Sequence, residues 1–479
     1  MRKNRISVLA LACCCILSSL CHGQTAPTRQ WTRITPPNDI NTNEVALLRG
    51  RDGQLHVAWK RQTTPQKMDL LHTAIDADGN VVVEAGIIVE GWNSFTAPAL
   101  MLEKDGRLQV VFSGLSGVTG SSYNAGSIYS ALSTDGHVWK LVPGQLSTSG
   151  YAYTGPTAAA LDGKGVPVVA WGGSVQTGLS AKSQPRDVQT GCCAYTPGLA
   201  TDASTGEVVM GWFSNADKAL GIFAETVSPS AGEKTLVPGS VTIYGGSPQS
   251  ASVDQQIPVS GRIGASGVFV AFCEGYPTAK SVDLWQYGQA KPAVIASVNG
   301  GCRAHVSAGP EGRLWMVWSN GGKLLAARSN RAVSRWGVPI QVGTPPGWDA
   351  TYRVKGEGSA GPLDVFAHVG AGGGVSTWHT HVLPLLAINA APASLATNGG
   401  NVTFTVTDVG DPVAGATIHV AGQTLTTNAS GQASTHLAKG GLIPVSVTAP
   451  GYAETTITLG GAAAATHAGT RTTKRKPKK

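Results

Sequence analysis

The chain has 479 residues, 42% of them hydrophobic and 13% charged, with 62 glycines. So low a charged fraction with so much glycine excludes long surface helices and coiled coils, and the apolar share excludes global disorder. The formal charge of +8 sits at the ends: three basic residues open the chain and six close it, which leaves 27 against 28 acidic groups on the body and no support for a nucleic-acid-binding face.

Arg2, Lys3 and Arg5 precede an apolar run from Ile6 to Leu20, and Cys21-His22-Gly23 ends in a small residue. This is the layout of a secretory signal peptide over 1–23, cleaved near Gly23–Gln24. An uncleaved anchor and a lipoprotein are the alternatives. No other segment is long and apolar enough to span a membrane. The expected compartment is outside the cytoplasm: periplasmic, cell-surface or secreted. Four cysteines remain after cleavage, Cys192, Cys193, Cys273 and Cys302. In an oxidising compartment they predict up to two disulfides, with a metal site as the alternative that lacks the usual C-x-x-C spacing.

From residue 29 one pattern recurs: a Gly-containing turn, then alternating apolar residues ending in an aromatic. Asp52-Gly53-Gln54-Leu55-His56-Val57-Ala58-Trp59 is the first copy, and the terminal aromatics fall at 59, 112, 171, 212, 272, 318 and 366. Each copy follows a strand of small residues, such as Thr157-Ala158-Ala159-Ala160-Leu161 or Ala304-His305-Val306-Ser307-Ala308, and two further strands come after it. Four short strands per unit predict the blades of an all-β propeller over 29–385. Seven copies predict seven blades, with six as the alternative. Small first strands fit the crowded centre, and large aromatics fill the space between blades. Trp31-Thr32-Arg33-Ile34 is positioned to supply the outer strand that closes the ring.

Ser133-Thr134-Asp135-Gly136-His137-Val138-Trp139 resembles the Asp-box turn of the bacterial neuraminidase repeat family, one residue short, and Asp76-Ala77-Asp78-Gly79-Asn80 is a partial copy. The repeat layout therefore resembles a sialidase-like propeller. In that family the Asp caps the turn and the Trp packs between strands. The motif is structural and implies nothing about catalysis.

After residue 385 the composition changes. Asn401-Val402-Thr403-Phe404-Thr405-Val406-Thr407 alternates as a strand, and short strands continue to Leu459. Residues 386–460 predict a small β-sandwich. The strings at 411–420, 426–434 and 447–459 resemble bacterial Ig-like domains of the invasin type and carboxypeptidase-regulatory-like domains, which implies a spacer or adhesive unit. Residues 461–479 read as a disordered basic tail, suited at most to weak contact with anionic envelope polymers.

Propeller ligands sit at one mouth of the central channel, among the loops leading into the first strands. Counting back from the second-strand aromatics aligns Phe95, Tyr153 and Tyr195, with Gln255 in the corresponding place of the fifth unit. These residues predict a stacking platform for a sugar or another flat amphipathic ligand; packing under the loops is the alternative. Cys273 and Cys302 are expected to bond where blades five and six adjoin. The sialidase resemblance implies three arginines on a substrate carboxylate with a tyrosine and an acidic partner. Arg262, Arg303, Arg353, Glu44 and Tyr153 are the residues available for those roles, but their spacing departs from the family and its Phe-Arg-Ile-Pro string is absent. His379 and His381 share a strand face without a third metal ligand, so neither a metal nor another cofactor is expected. The reading is a binding protein for an extracellular carbohydrate or surface protein, with sialidase-like glycoside hydrolysis as the alternative.

Overall fold

The fold was analysed in a computed structural model, which describes residues 28–35, 45–116, 127–144, 146, 156–180, 182–188, 194–216, 219–242, 256–348, 353–371 and 374–460. These residues form two compact units, one of 28–384 with Asp408–Asp411, the other of 385–407 and 412–460. Every described element is a strand, apart from single 3-10 turns at Ser240–Thr242 and Pro310–Gly312.

The first unit is built from seven antiparallel sheets, six meandering in chain order and the seventh closed from the N-terminal side. Their first strands are Ala46–Arg49, Ala99–Leu102, Thr157–Leu161, Ala194–Thr201, Val259–Arg262, Ala304–Ala308 and Val354–Glu357, which define blades 1 to 7. Each first strand neighbours the next, and the seventh returns to the first, so the cycle closes. The unit is a β-propeller. Its second strands, from Leu55–Thr64 to Leu363–Ala371, carry all seven repeat copies. The terminal aromatics of those copies are all buried, Trp59, Phe112, Trp212, Trp318 and Phe366 completely. Small first strands let seven chains converge, and the aromatics fill the widening gaps between blades.

Blade 7 is completed by Thr32–Arg33, which pairs with His379 and Trp378 on the third strand, as Trp31–Ile34 predicted. The ring is also stitched at the turns joining first and second strands. Arg51 Nη2 donates to Lys104 O at 2.6 Å, and Lys104 Nζ donates to Lys164 O. Gly163 N donates to Gly206 O at 2.8 Å, and Gly267 N to Asp202 Oδ2 at 2.7 Å. Arg262 Nε reaches Gly312 O at 2.7 Å, and Trp315 Nε1 reaches Gly361 O at 2.8 Å. Arg49 closes the circuit on Glu357 at 3.1 Å. Every junction between blades is thus bridged at this end of the ring.

The Asp-box turn behaves as its resemblance implies. Asp135 Oδ1 accepts from the backbone N–H groups of His137 at 2.8 Å and Val138 at 3.0 Å. Those two bonds hold its carboxyl below the usual range. Trp139 Nε1 donates to Gly136 O at 3.2 Å, and its ring packs 5.3 Å from His72. The partial copy uses the same device: Asp76 Oδ1 accepts from the N–H groups of Asp78 and Asn80.

The second unit has two four-stranded sheets. One joins Ala387–Ala391, Gly400–Asp408, Asp411–Pro412 and Gln432–Leu437; the other joins Gln423–Thr426, Thr417–Val420, Ile443–Thr448 and Thr455–Leu459. Val402, Phe404 and Val406 of the first sheet share one core with Ile418, Val420, Val445, Val447 and Leu459 of the second. The intervening threonines 403, 405 and 407 stay partly exposed, which is the period-two pattern of a half-buried strand. The unit is therefore a β-sandwich.

Candidate functional site

The first strands surround a cavity of ≈ 230 Å³ on the axis of the ring. Many of the residues around it are small or apolar, with Ala99, Ala158, Ala159 and Val306 among them, but the surface they present to it is more polar than apolar. Against these stand a few polar side chains: Thr157, Gln256, Ser260, His305, Ser307, Lys355 and Glu357.

A hydrogen-bonded brace crosses the ring at the end where the chain enters its first strands. Lys355 Nζ donates to Val45 O at 3.0 Å and to Gln256 Oε1 at 2.8 Å. Gln256 Nε2 donates to Pro197 O at 2.9 Å and to Thr157 O at 3.3 Å. Two side chains thereby link blades 1, 3, 4, 5 and 7. Beside them His305 Nδ1 accepts from Gly356 N at 3.2 Å. Burial, and then the Lys355 charge, push its imidazole down to about 3, so it is neutral at physiological pH. At the opposite end Glu357 accepts from Arg49 Nε at 3.2 Å and from Ser359 N at 2.9 Å.

The residues expected from sequence fall differently. Phe95 and Tyr195 do lie at the chain-entering mouth, but both are buried, at 3% and 9% exposure. Phe95 stacks on Trp92 at 5.3 Å and meets Phe112 edge-on at 5.5 Å; Tyr195 belongs to the core between blades 4 and 5. They plug the gaps between blades and present no stacking face to a ligand. Tyr153, Gln255 and Glu44 lie outside the described residues, as do Cys192 and Cys193.

Arg303 and Arg353 precede the first strands of blades 6 and 7, at the same mouth. Arg262 does not join them. It ends its first strand, faces Ala265 across the turn, and donates to Ser266 O at 2.9 Å and to Gly312 O. A four-residue strand at about 3.3 Å per residue separates the two ends by roughly 10–13 Å. The three arginines therefore do not converge.

Cys273 and Cys302 form a disulfide with Cα atoms 6.1 Å apart, joining the second strand of blade 5 to the segment leading into blade 6. Next to it, Asp283 is 1% exposed and faces Glu274. Burial first, then the hydrogen bond and charge of Glu274, raise the Asp283 carboxyl to about 7. Neither carboxyl lines the axial cavity. His379 and His381 meet on one oxygen: both contact Asp364 Oδ1, at 2.8 and 3.1 Å, while Arg49 pairs with Oδ2. Burial would raise the Asp364 carboxyl, but hydrogen bonds from the two histidines and their charge hold it far below the usual range.

Lys355, Gln256 and His305 were not among the residues expected to bind. The available signal was a lysine and a histidine inside first strands otherwise made of small and apolar residues.

No protein-family model matches the chain, and no curated protein matches it in sequence. Among solved structures it is similar to a protein of unknown function from Dyadobacter fermentans, at 10% identity and a TM-score of 0.44, over 74% of this chain and 99% of that one. It is also similar to the GH93 α-L-arabinofuranosidase of Fusarium graminearum, at 14% identity and a TM-score of 0.41, over 74% and 98%. A third similarity is to NanB sialidase from Streptococcus pneumoniae, at 10% identity and a TM-score of 0.43, over 74% and 70%. At such identities and scores none of these proteins passes its activity to this chain.

Proposed function

We propose that the chain is an exported, non-catalytic binding protein whose propeller recognises an extracellular or envelope carbohydrate or surface protein. The sandwich serves as an Ig-like spacer or adhesive unit. The supporting observation is the axial cavity. It is a concave site ringed by all seven first strands, with a largely polar surface on which Gln256, Lys355 and Glu357 are held in fixed directions, and placed polar groups are what orient a small ligand. Glu357 is the one carboxylate among its described lining residues, and Arg49 already engages it. Two-carboxylate glycoside hydrolysis needs a pair spaced about 5–10 Å apart across the scissile bond. Sialidase-like hydrolysis is the weaker reading, because Arg262 lies away from Arg303 and Arg353. The disulfide suits an oxidising compartment, and no described helix is long and apolar enough to cross a membrane. Tyr153 and Gln255 remain proposed contacts at the mouth.

The test is a glycan array and a surface-protein interaction screen with the full chain, run beside glycoside hydrolysis assays. Binding without turnover is expected. Turnover of a bound glycoside would overturn the non-catalytic reading.

A further inference from the structure

Away from the axial cavity, two buried histidines are tied to the Asp-box turn. His56 lies on the second strand of blade 1 and His72 on the third, Lys67–Ile75, and both are buried. His56 Nδ1 and His72 Nε2 share one hydrogen bond of 2.9 Å, and His56 Nε2 lies 3.4 Å from Asp52 Oδ1. His72 Nδ1, at the far end of this chain of groups, is buried without a hydrogen-bond partner. The turn of blade 2 roofs the pair. A Cβ on Gly136 would lie 2.9 Å from His56 Cε1 and 3.3 Å from His72 Cε1, so the roof has no slack. Trp139 packs on His72 at 5.3 Å, and the outer strand Lys140–Leu141 follows it directly.

The contact has a fixed proton capacity. One N–H between the facing nitrogens makes the bond, and a single added proton keeps it: His56 then points one N–H at Asp52 and the other at His72. With both rings charged, two N–H groups oppose each other at 2.9 Å, and like charges share a desolvated gap. The charged groups that face the pair are Asp52 and Arg49 of blade 1 and His137 of the turn, and of these Asp52 alone favours the charged rings. Asp135 spends its carboxylate on the turn's own N–H groups.

We infer that the His56–His72 pair is a proton-gated latch: it holds the turn 133–139 of blade 2 against blade 1 while it carries at most one added proton, and releases the turn and the outer strand behind it when both rings are charged. Burial lowers both rings, and burial followed by the His56 charge takes His72 down to about 3. Rings freed by opening bind protons near the ordinary 6.5, so opening takes up protons below that value. Its equilibrium constant therefore rises as pH falls, by up to about tenfold per pH unit for each proton taken up. Above about 7 neither state binds the proton, and the latch stays shut.

The test is hydrogen exchange of the full-length protein between pH 7.5 and 4.5, corrected for the intrinsic pH dependence of the amide reaction. Residues 127–142 are read against 222–237 of blade 4, which contain no histidine. Between pH 7 and 5.5 the opening of 127–142 is expected to rise at least about tenfold more than that of 222–237. His72→Phe keeps a ring that takes no proton, and His72→Gln keeps a hydrogen-bonding group beside His56. Each is expected to lose about half of that pH slope or more, because one of the two protons is gone. An equal slope in the native chain and both variants, or a native slope no steeper than that of 222–237, would overturn the inference. NMR titration of the two rings in the native protein decides the matter if neither variant folds. Both rings charged while 127–142 stays protected would overturn the latch, and so would opening while both rings are neutral.

Discussion

Lys355 Nζ lies 2.8 Å from Gln256 Oε1 across the axis of the ring, although 99 positions separate the two residues. The brace is assembled only when blades 5 and 7 are both in place. It also reaches blades 1, 3 and 4 through carbonyl oxygens. Gln256→Ala removes both acceptors' donor and takes one acceptor from a buried ammonium. A loss of about 2–3 kcal/mol is expected from stranding buried polar groups, measured by urea unfolding. Lys355→Met, which fills similar space without a charge, is expected to cost less than Gln256→Ala.

Cys273 and Cys302 close a loop of 29 residues. In the chain-entropy treatment such a loop stabilises by about 3–4 kcal/mol. Cys302→Ser or full reduction is expected to lower the Tm by several degrees in calorimetry. A non-reduced digest is expected to give the Cys273 and Cys302 peptides as one linked mass.

Acid should weaken the propeller through its buried histidines. Burial pushes His72, His305 and His368 each down to about 3. The unfolded chain binds their protons near the ordinary 6.5, so this stability is complete above about 6.5 and declines as pH falls towards 3. His368→Leu is informative, because both ring nitrogens of His368 lack a partner. The variant is expected to match the native Tm at pH 7 and to lose less of it at pH 4.5.

Asp283 has the opposite sign. Its carboxyl keeps a proton up to about 7 in the folded chain, against an ordinary value of 3.8. The folded state therefore holds more protons across that window, and stability declines as pH rises through it. Asp283→Asn cannot ionise and is expected to flatten the fall in Tm between pH 5 and 8. A native Tm profile that is already flat there would contradict the raised Asp283 carboxyl.

Gly163 and Gly206 pass so closely that a Cβ on Gly163 would lie 2.7 Å from the Gly206 Cα. Backbone cannot yield as a flexible side chain can. Gly163→Ala is expected to cost more than 2 kcal/mol by overpacking the junction of blades 3 and 4. Gly264→Ala, with φ of +67° but open space around it, should cost less in the same unfolding assay.

The ring was legible in the sequence because it is written locally and repeatedly. An alternating run ending at Trp59 or Trp318 needs only its own neighbours to declare a second strand. The Asp135 turn, the closing strand at Thr32 and the Cys273–Cys302 bond followed from the same frame. The residues around the axial cavity were harder to read, because only ring closure brings them together. Counting placed Phe95 and Tyr195 at the mouth where the chain enters its first strands. Counting cannot tell whether a ring turns into the gap between blades or out to solvent, and at these positions burial of the aromatic surface decides. Arg262 was assigned to that mouth, yet a strand of four residues carries the chain to the far end within a few positions. Gln256 stood one residue beyond the aligned Gln255, and its partner Lys355 belongs to another blade.

Thr32–Arg33 completes a sheet whose other members are the last of the propeller's strands in chain order. That pairing imposes an order in time. Thr32–Arg33, the first of the described strands, must wait with its edge open until the residues up to Val382 have been delivered to it. Blades 1 to 6 can form as hairpins while synthesis or export proceeds, but the circle shuts in a single late step between distant parts of the chain. Late, long-range pairing is slow, and an unpaired edge invites the wrong neighbour. A fragment that stops before Leu363 would leave Thr32 with no strand to meet, and so would stay permanently at the stage the whole chain passes through.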